Sequence, residues 1–340
     1  MFSSLIDRLP AASARKLNML MLRRGYGGPV TPRTGHINHI LPKLIPNRIG
    51  LAAGFDPSAQ APAAWQRLGF GFAELGSVTV NPKNSGKAGR EWRVGERGLI
   101  HSGEFGNPGL TVFAENLKAF RDSDGGSDFC VGANILSPDG RGNEIRMLGQ
   151  ALVDLVDYFT INASCPNTAM VQTALSGPIR EIKALVGPAE GKPIFVKIEP
   201  TVRLDVLEAM VESFLLAGAT GFVAGSSLSS HSRDLLPGIT LPWPVRGGPH
   251  PVKFGAFSGP ELRDINLAMV ATLRRLAPDA TIIASGGIYE KSDLEDYLGA
   301  GADLFQIHTA LARGGREAVE RLIHADGEIG TRAQLLQAAE

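Results

Sequence analysis

The sequence predicts a (β/α)8 TIM barrel preceded by a short N-terminal helical arm. From about residue 47 onwards, eight short apolar runs alternate with eight stretches of helical periodicity. A chain of 340 residues has room for this architecture as a single domain. A doubly wound open sheet produces the same alternation, so it is the count and the length that favour the barrel.

The predicted strands are short, and several are apolar without interruption. Parallel strands in a barrel are buried on both faces, which produces such continuous runs. The strands are predicted at 48–55, 72–78, 129–135, 158–163, 193–198, 221–225, 281–285 and 304–308.

A predicted helix follows each strand. In 202–217, apolar residues recur at the three- and four-residue spacing of one helix face. Pro260 suits the first turn of a helix, and Ser292 with Glu295 has the spacing of a capping box. The helices are predicted at 61–69, 110–120, 143–157, 178–186, 202–217, 260–276, 291–299 and 315–325.

Residues 1–40 are predicted to form the helical arm and residues 41–340 the barrel. Within the arm, 2–24 has the pattern of short amphipathic helices with basic flanks. Such helices either lie on a membrane surface, cover a tunnel mouth, or pack on their own domain. No apolar run reaches the roughly 18–20 residues of a membrane-spanning helix, and the start lacks the pattern of a secretory signal.

Charge and cysteine content exclude several classes of function. The 34 Lys and Arg residues balance 34 Asp and Glu residues, so the chain lacks the basic excess on which nucleic-acid binding depends. Cys130 and Cys165 are the two cysteines, which excludes a disulfide framework and indicates a cytoplasmic protein. His101, His231 and His308 are isolated in the sequence, so no metal site is predicted.

Two predicted connections, 79–109 and 226–259, are much longer than the others. The loops that follow barrel strands carry the active site, and long loops are usually lids or binding loops. The second is rich in Pro and Gly. We therefore expect it to form a shaped cover over the barrel mouth.

The last two predicted strands end in residues suited to holding a phosphate group. Ser285-Gly286-Gly287 follows the seventh strand, and His308-Thr309 follows the eighth. Glycines in these loops free backbone N–H groups to point at an anion. A tight glycine turn without a ligand is the alternative.

The fourth predicted strand runs into Asn162-Ala-Ser-Cys-Pro-Asn-Thr168. Cys165 is either a small buried apolar side chain, the commonest fate of a lone cysteine, or an acid/base or nucleophile. Asn162 and Asn167 flank it and could bind carbonyl or amide groups. No His is adjacent in sequence, so a Cys–His hydrolase has no direct support.

Polar residues also interrupt two other apolar strands. Lys197 lies near the end of the fifth strand and Asn134 near the end of the third. Because an unpaired buried charge is costly, Lys197 must form a structural ion pair, for example with Glu199, or face a polar site such as a cofactor ring. Asp56 lies in a turn, where it is expected to cap or brace.

Taken in order, these motifs resemble the FMN-dependent dihydroorotate dehydrogenases over nearly the whole chain. The N-terminal arm and the Ala-Ala-Gly-Phe-Asp phrase resemble the membrane-associated, quinone-using class, whereas a Cys at position 165 is the choice of the soluble class. The motifs that carry the resemblance are Leu51-Ala-Ala-Gly-Phe-Asp56, Glu74-Leu-Gly-Ser-Val78, Asn162 to Thr168, Val196-Lys-Ile198, Ser285-Gly-Gly-Ile288 and Gln306 to Leu311.

The resemblance implies how FMN would be held. Lys197 would offset negative charge at one edge of the reduced ring, while Asn134 and Asn162 would hydrogen-bond around the ring and the substrate. The remaining implied cofactor-binding residues are Ala53, Gly54 and Ser77 against the flavin, Ser258 and Gly259 supporting the cofactor from the end of the long loop, and Gly286, Gly287, His308 and Thr309 around the phosphate.

The resemblance also implies the chemistry. Cys165 would remove a proton from the carbon next to the one that yields hydride to the flavin, with Asn162 and Lys197 assisting. Asn167, Thr168, His101 and Ser226 would contact the substrate. A thiolate with a tuned pKa suits proton removal near neutral pH.

Several positions depart from the family pattern on the substrate side. Pro57 stands where the family places a Lys that grips the substrate carboxylate, His101 replaces an Asn, and Gly225-Ser226-Ser227 replaces Thr-Asn-Thr. Each lost charge-assisted hydrogen bond is worth about 1.5–3 kcal/mol. The leading hypothesis is therefore a flavoenzyme of this family with a diverged substrate.

Three alternatives remain open. The first is a true dihydroorotate dehydrogenase in which His101 or an Arg binds the carboxylate. The second is a flavin-binding or partner-binding module without turnover, and the third is a barrel hydrolase or aldolase that uses Cys165 or Lys197 covalently. For the flavoenzyme, quinone is the expected acceptor if the arm forms a tunnel; otherwise fumarate, oxygen or a partner flavoprotein could serve.

Overall fold

The computed structural model describes residues 17, 19–21, 24, 40–83, 90–102, 106–138, 142–163, 176–200, 204–229 and 255–330. Its strands, numbered along the chain, are β1 Ile49–Leu51, β2 Phe72–Val78, β3 Arg90–Val94, β4 Gly98–Ser102, β5 Cys130–Ile135, β6 Tyr158–Asn162, β7 Ile194–Ile198, β8 Gly221–Ala224, β9 Leu228–Ser229, β10 Ala256–Ser258, β11 Thr281–Ser285 and β12 Leu304–Ile307.

Eight of these strands form a closed parallel barrel, which confirms the predicted fold class. Their order around the barrel is β1, β12, β11, β8, β7, β6, β5 and β2. Every residue of β2 and of β5 is buried. The eight predicted strands coincide with these eight, and two of them, 72–78 and 281–285, have the observed bounds.

Helices follow the barrel strands and cover the outside of the barrel. They are α1 Pro62–Arg67, α2 Leu110–Arg121, α3 Asn143–Leu152, α4 Ser176–Val186, α5 Leu204–Ala217, α6 Arg263–Leu276, α7 Lys291–Ala300 and α8 Thr309–Glu328, with a 3-10 turn at Pro260–Leu262. Their apolar faces pack on the strands in one continuous core. No helix in the described part of the chain is long and apolar enough to cross a membrane.

The end of α3 and the start of α7 differ from the prediction, because hydrogen bonds at these helix ends determine them. The predicted helix 143–157 ends at Leu152, because the backbone then turns so that Asp157 can accept a hydrogen bond from the Val131 N–H group at 2.7 Å. The predicted capping box at Ser292 and Glu295 is wrong. Helix α7 begins at Lys291, so the capping box is formed by Glu290 and Asp293.

An apolar layer, which we call the floor, closes the barrel interior at the N-terminal ends of the strands. Several of its members are first residues of strands, so they lie at the N-terminal end of the barrel. Leu41 and Ile45, from the segment before β1, pack into the same layer. The floor consists of Leu41, Ile45, Phe72, Cys130, Tyr158, Phe195, Val223, Ile283 and Leu304.

The two long connections are not simple loops. Each contributes two strands to a second, antiparallel sheet with the order β3, β4, β10, β9. Ile100, Leu228, Phe257 and Leu262 form a small apolar core against this sheet, which explains why it is ordered. Residues 84–89, 103–105 and 230–254 of these connections, like most of the predicted arm, lie outside the described residues.

Candidate active site

A buried carboxylate lies inside the barrel, one layer above the floor. Glu74 on β2 has no solvent exposure. It accepts hydrogen bonds from Asn134 Nδ2, Thr160 Oγ1 and Gln306 Nε2, each at 2.8 Å. These partners come from β5, β6 and β12. Since burying a charge is costly without such bonds, the three donors stabilise the carboxylate in the barrel interior.

Polar contacts continue from Glu74 to the C-terminal end of the barrel, which we call the mouth. Ser77 donates its hydroxyl to Asn134 Oδ1, and Asn162 Nδ2 donates to Ser77 Oγ at 2.9 Å. Lys197 is opposite Asn162 in the parallel register of β6 and β7, so the two side chains share the inner face. The structure thus brings together four residues that the sequence analysis assigned to the cofactor.

The turn after β1 is fixed against the end of β2. The Gly54 N–H group donates to the Gly76 carbonyl at 2.8 Å. Gly54 has a φ of +94°, and a Cβ there would lie 3.9 Å from His308 Nε2. Asp56 braces this turn by accepting hydrogen bonds from Gln60, Ala61 and Trp65, which confirms its predicted role.

Glycines line the mouth at the ends of β8 and β11. Gly225, Gly286 and Gly287 have φ values of +102°, +100° and +71°, which disfavour any side chain. A Cβ on Gly287 would lie 2.6 Å from the Arg263 Cα atom, so only glycine fits there. Beside them, Thr309 Oγ1 at the start of α8 donates to Ser258 Oγ at 2.7 Å. This bond joins a residue predicted to hold the phosphate, Thr309, to one predicted to support the cofactor, Ser258.

Asn266 on α6 is wedged between two of these glycines. A Cβ on Gly225 would lie 2.6 Å from its Oδ1 atom, and a Cβ on Gly286 would lie 2.3 Å from its Nδ2 atom. Asn266 has no solvent exposure, and neither polar atom has a hydrogen-bond partner among the described residues. We call Gly225, Gly286 and Gly287 the glycine cradle. A buried amide is almost always paired, so the unpaired amide of Asn266 beside this cradle points to a missing polar ligand.

The predicted substrate residues are only partly described. His101 lies on β4 in the second sheet, opposite Ala256 of β10. Ser226 follows β8 at the mouth. Cys165, Asn167 and Thr168, like His231, lie outside the described residues, so their assignment stays a prediction. The described residues hold no group of three or more His, Cys, Asp or Glu side chains that could bind a metal.

Sequence reasoning missed Glu74 and Asn266, although both left a signal. Glu74 is a charged residue inside an apolar strand, which is the same feature that drew attention to Lys197. Asn266 falls on the apolar stripe that Leu262, Met269 and Leu273 form along one helix face. A polar residue on such a stripe is either bonded or functional.

This geometry resembles a site for an elongated, phosphorylated and planar cofactor. Glycines and the N-terminus of α8 suit an anion at one side, because free N–H groups and the helix dipole favour negative charge. Amide side chains and Lys197 offer hydrogen bonds and a positive charge across the remainder of the mouth. This position at the ends of the strands is where barrels carry out their chemistry.

Comparison with known families gives one match over most of the chain. The sequence model of the family described as Dihydroorotate dehydrogenase matches residues 38–327. That range contains the barrel strands, the second sheet and nearly all of α8.

Two similar curated proteins carry the same name. The dihydroorotate dehydrogenase (quinone) of Thermus thermophilus is 32% identical over 286 residues, which is 82% of this chain and 79% of that protein. The dihydroorotate dehydrogenase (quinone) of Bordetella avium is 28% identical over 327 residues, or 90% of each chain.

Solved structures share the fold. A crystal structure from Eimeria tenella of DHODH in complex with ferulenol superposes with a TM-score of 0.79 at 22% identity, covering 96% of this chain and 92% of that one. A ligand-free type DHODH from the same organism gives a TM-score of 0.78 at 23% identity, covering 92% of each chain.

Proposed function

The chain belongs to the dihydroorotate dehydrogenase family of flavin-dependent oxidoreductases that act on a CH–CH bond, and we propose that it oxidises dihydroorotate to orotate in pyrimidine biosynthesis. FMN is the proposed cofactor and a quinone the proposed electron acceptor. The observation that carries the reaction is the 32% identity to a quinone-dependent dihydroorotate dehydrogenase over 82% of the chain.

Two observations support the fit of FMN to the mouth. Gly225, Gly286 and Gly287 lie at the strand ends with backbone conformations that disfavour side chains, and the orphaned amide of Asn266 lies beside them. Gly286, Gly287, His308 and Thr309 would hold the phosphate, with Ser258 and Gly259 next to them. Ala53, Gly54, Ser77, Asn134, Asn162 and Lys197 would surround the ring. FMN, when bound, supplies a hydride acceptor.

The catalytic roles fall to residues around the end of β6. Cys165 would take a proton from the carbon adjacent to the one that loses hydride, leaving a C=C bond conjugated to a carbonyl. Asn162, held by Ser77, would orient the substrate over the ring. Lys197 would offset negative charge at the ring edge, because its ammonium shares the inner face with Asn162.

The substrate assignment departs from the leading expectation of the sequence analysis. The departures at Pro57, His101 and Ser226 favoured a diverged substrate, but the curated relatives support dihydroorotate better. Asn167, Thr168, His101 and Ser226 are the proposed substrate-binding residues, and His101 or an Arg would bind the carboxylate in place of the family Lys.

A diverged substrate is the second candidate, and Pro57 is the observation that favours it. A proline has no charge to pair with a carboxylate. The bond that the family Lys would make to the substrate, worth about 1.5–3 kcal/mol, is therefore lost. The substrate would then be a neutral or larger analogue with the same CH–CH bond beside a carbonyl.

The proposed quinone acceptor implies a role for residues 1–40. As an amphipathic arm, they would cover a tunnel to the flavin and contact the membrane surface. Deletion of residues 1–28 should raise the KM for a short-chain quinone while sparing fumarate or dye reduction. Unchanged quinone kinetics would rule out the tunnel.

Steady-state turnover tests the proposal. Flavin released from the purified protein should be FMN, and L-dihydroorotate with a quinone should yield orotate. Cys165→Ser should slow flavin reduction while leaving the spectrum of the bound flavin nearly unchanged. Full-speed reduction by this variant would exclude Cys165 as the base, and a protein without flavin would contradict the proposed function itself.

A further inference from the structure

The carboxylate of Glu74 is surrounded by neutral hydrogen-bond donors. It is fully buried, and its three hydrogen-bond partners, Asn134, Thr160 and Gln306, are neutral. The buried carboxylate of Asp326 is paired with a cation, Arg48, at 2.6 Å, whereas Asp56 resembles Glu74 in accepting only from neutral donors. The negative charge of Glu74 is therefore dispersed by hydrogen bonds but not cancelled by them.

The hydrogen bonds to Glu74 suit an ionised carboxylate, whose oxygens only accept. Two of the three are side-chain amide N–H groups, from Asn134 and Gln306, which can only donate. Below Glu74, burial and the nearby carboxylate raise the pKa of the Tyr158 hydroxyl, so that group stays neutral. The charge thus faces the mouth across a single side chain, Asn134, which also accepts a hydrogen bond from Ser77.

We propose that Glu74 is a positioning residue whose buried charge lowers the reduction potential of the flavin bound above it. This inference rests on the proposed function, since it requires a flavin at the mouth. Reduction adds electrons to the ring, and a fixed negative charge in a low-dielectric interior opposes that addition. Lys197 acts in the opposite sense at the ring edge. A lower potential favours the passage of electrons from flavin to the acceptor.

Two substitutions at one position separate charge from structure. Glu74→Gln keeps the length of the side chain and removes the charge, whereas Glu74→Asp keeps the charge and shortens the side chain. In a reductive titration with dithionite and a reference dye, Glu74→Gln should favour reduced flavin at least tenfold, about 30 mV for a two-electron couple. Glu74→Asp should shift the potential much less, although it loses hydrogen bonds.

Asp157→Asn is the control for neutralising a buried carboxylate far from the mouth. Asp157 lies at the floor end of β6, paired with Arg121 at 2.8 Å, so its loss should leave the potential unchanged. If Glu74→Gln leaves the potential unchanged, or if Glu74→Asp shifts it as much, the electrostatic role is wrong and Glu74 is only structural.

A measurement on the unaltered protein covers the case in which Glu74→Gln does not fold. The reduced-minus-oxidised infrared difference spectrum should contain a carboxylate band from a buried ionised group that senses the flavin. Its absence would overturn the inference. Neither experiment requires dihydroorotate, so a flavoprotein that ignores this substrate would contradict the proposed reaction and leave the role of Glu74 testable.

Discussion

The floor and the mouth of the barrel are built on the same strands but differ in almost every physical property. At the floor, apolar side chains such as Phe72, Tyr158 and Phe195 fill the interior. At the mouth, Ser77, Asn134 and Asn162 form a polar chain and glycines replace side chains. The apolar packing of the interior is therefore concentrated at the floor, which leaves the polar groups of the mouth available to bind a ligand.

Removing a floor aromatic should produce the largest effect. Phe195 is 1% exposed and stacks edge-on against Tyr158 with ring centroids 5.4 Å apart. Phe195→Ala should lower the free energy of unfolding by about 3–5 kcal/mol, because it leaves a cavity. Urea denaturation of the FMN-free protein measures this loss.

Phe195→Ala should leave FMN binding at the mouth unaffected. The spectrum and FMN affinity of the folded variant should match those of the unaltered protein. Leu216→Ala serves as the control, because Leu216 is 82% exposed and its loss should change stability by no more than about 0.5 kcal/mol. A folded Phe195→Ala variant that no longer binds FMN would contradict the assignment of stability to the floor and of FMN binding to the mouth.

Filling the glycine cradle should damage the mouth. Gly286→Ala adds a Cβ 2.3 Å from Asn266 Nδ2 on a backbone with φ of +100°, and the strain should cost about 1–3 kcal/mol. FMN affinity, measured by fluorescence titration, should fall with it. Gly95→Ala is the matched control, since Gly95 also has a positive φ, +55°, but a Cβ there meets nothing within 4 Å. If both variants lose FMN affinity equally, the glycine cradle is not part of the FMN site.

Buried asparagines at the two ends should respond in opposite directions. Asn47, before β1, has a partner on each polar atom of its side chain: it donates to the Gly69 carbonyl at 2.8 Å and accepts from the Ile49 N–H group at 3.0 Å. Asn47→Leu should lower stability by about 1–3 kcal/mol without affecting FMN binding. Asn266→Leu should instead raise the stability of the FMN-free protein by about 1 kcal/mol and weaken FMN binding about tenfold.

Thermal unfolding with and without FMN distinguishes these outcomes. A gap between the two melting temperatures that narrows for Asn266→Leu and is unchanged for Asn47→Leu would support the assignment of the orphaned amide. If Asn266→Leu destabilises the FMN-free protein, its amide is satisfied by water and not reserved for the cofactor.

The last predicted effect is a pH dependence that originates at the floor. Burial raises the pKa of the Cys130 thiol well above its usual range. The unfolded chain loses this proton near pH 8.5 while the folded chain retains it, so stability should fall as the pH rises above that value, by at most about 1.4 kcal/mol per pH unit. Cys130→Ala should flatten the slope between pH 8.5 and 10. An unchanged slope would assign it to other groups.

The barrel could be predicted from the sequence because eight short, mostly apolar strands alternate with eight helical stretches. The prediction failed where local chemistry decided the outcome. The second sheet was hidden in connections rich in Pro and Gly, and the start of α7 depended on a capping box formed by Glu290 and Asp293. Glu74 was recognised only as part of a motif, because its partners come from three other strands and no spacing along the chain records them.

We propose that the mouth of this barrel holds a flavin that dihydroorotate reduces. An anaerobic visible spectrum of the purified protein, taken before and after the addition of L-dihydroorotate, tests it most directly. We expect a yellow flavin band that bleaches rapidly as orotate forms. A flavin band that persists with dihydroorotate but bleaches with dithionite would contradict the proposed substrate.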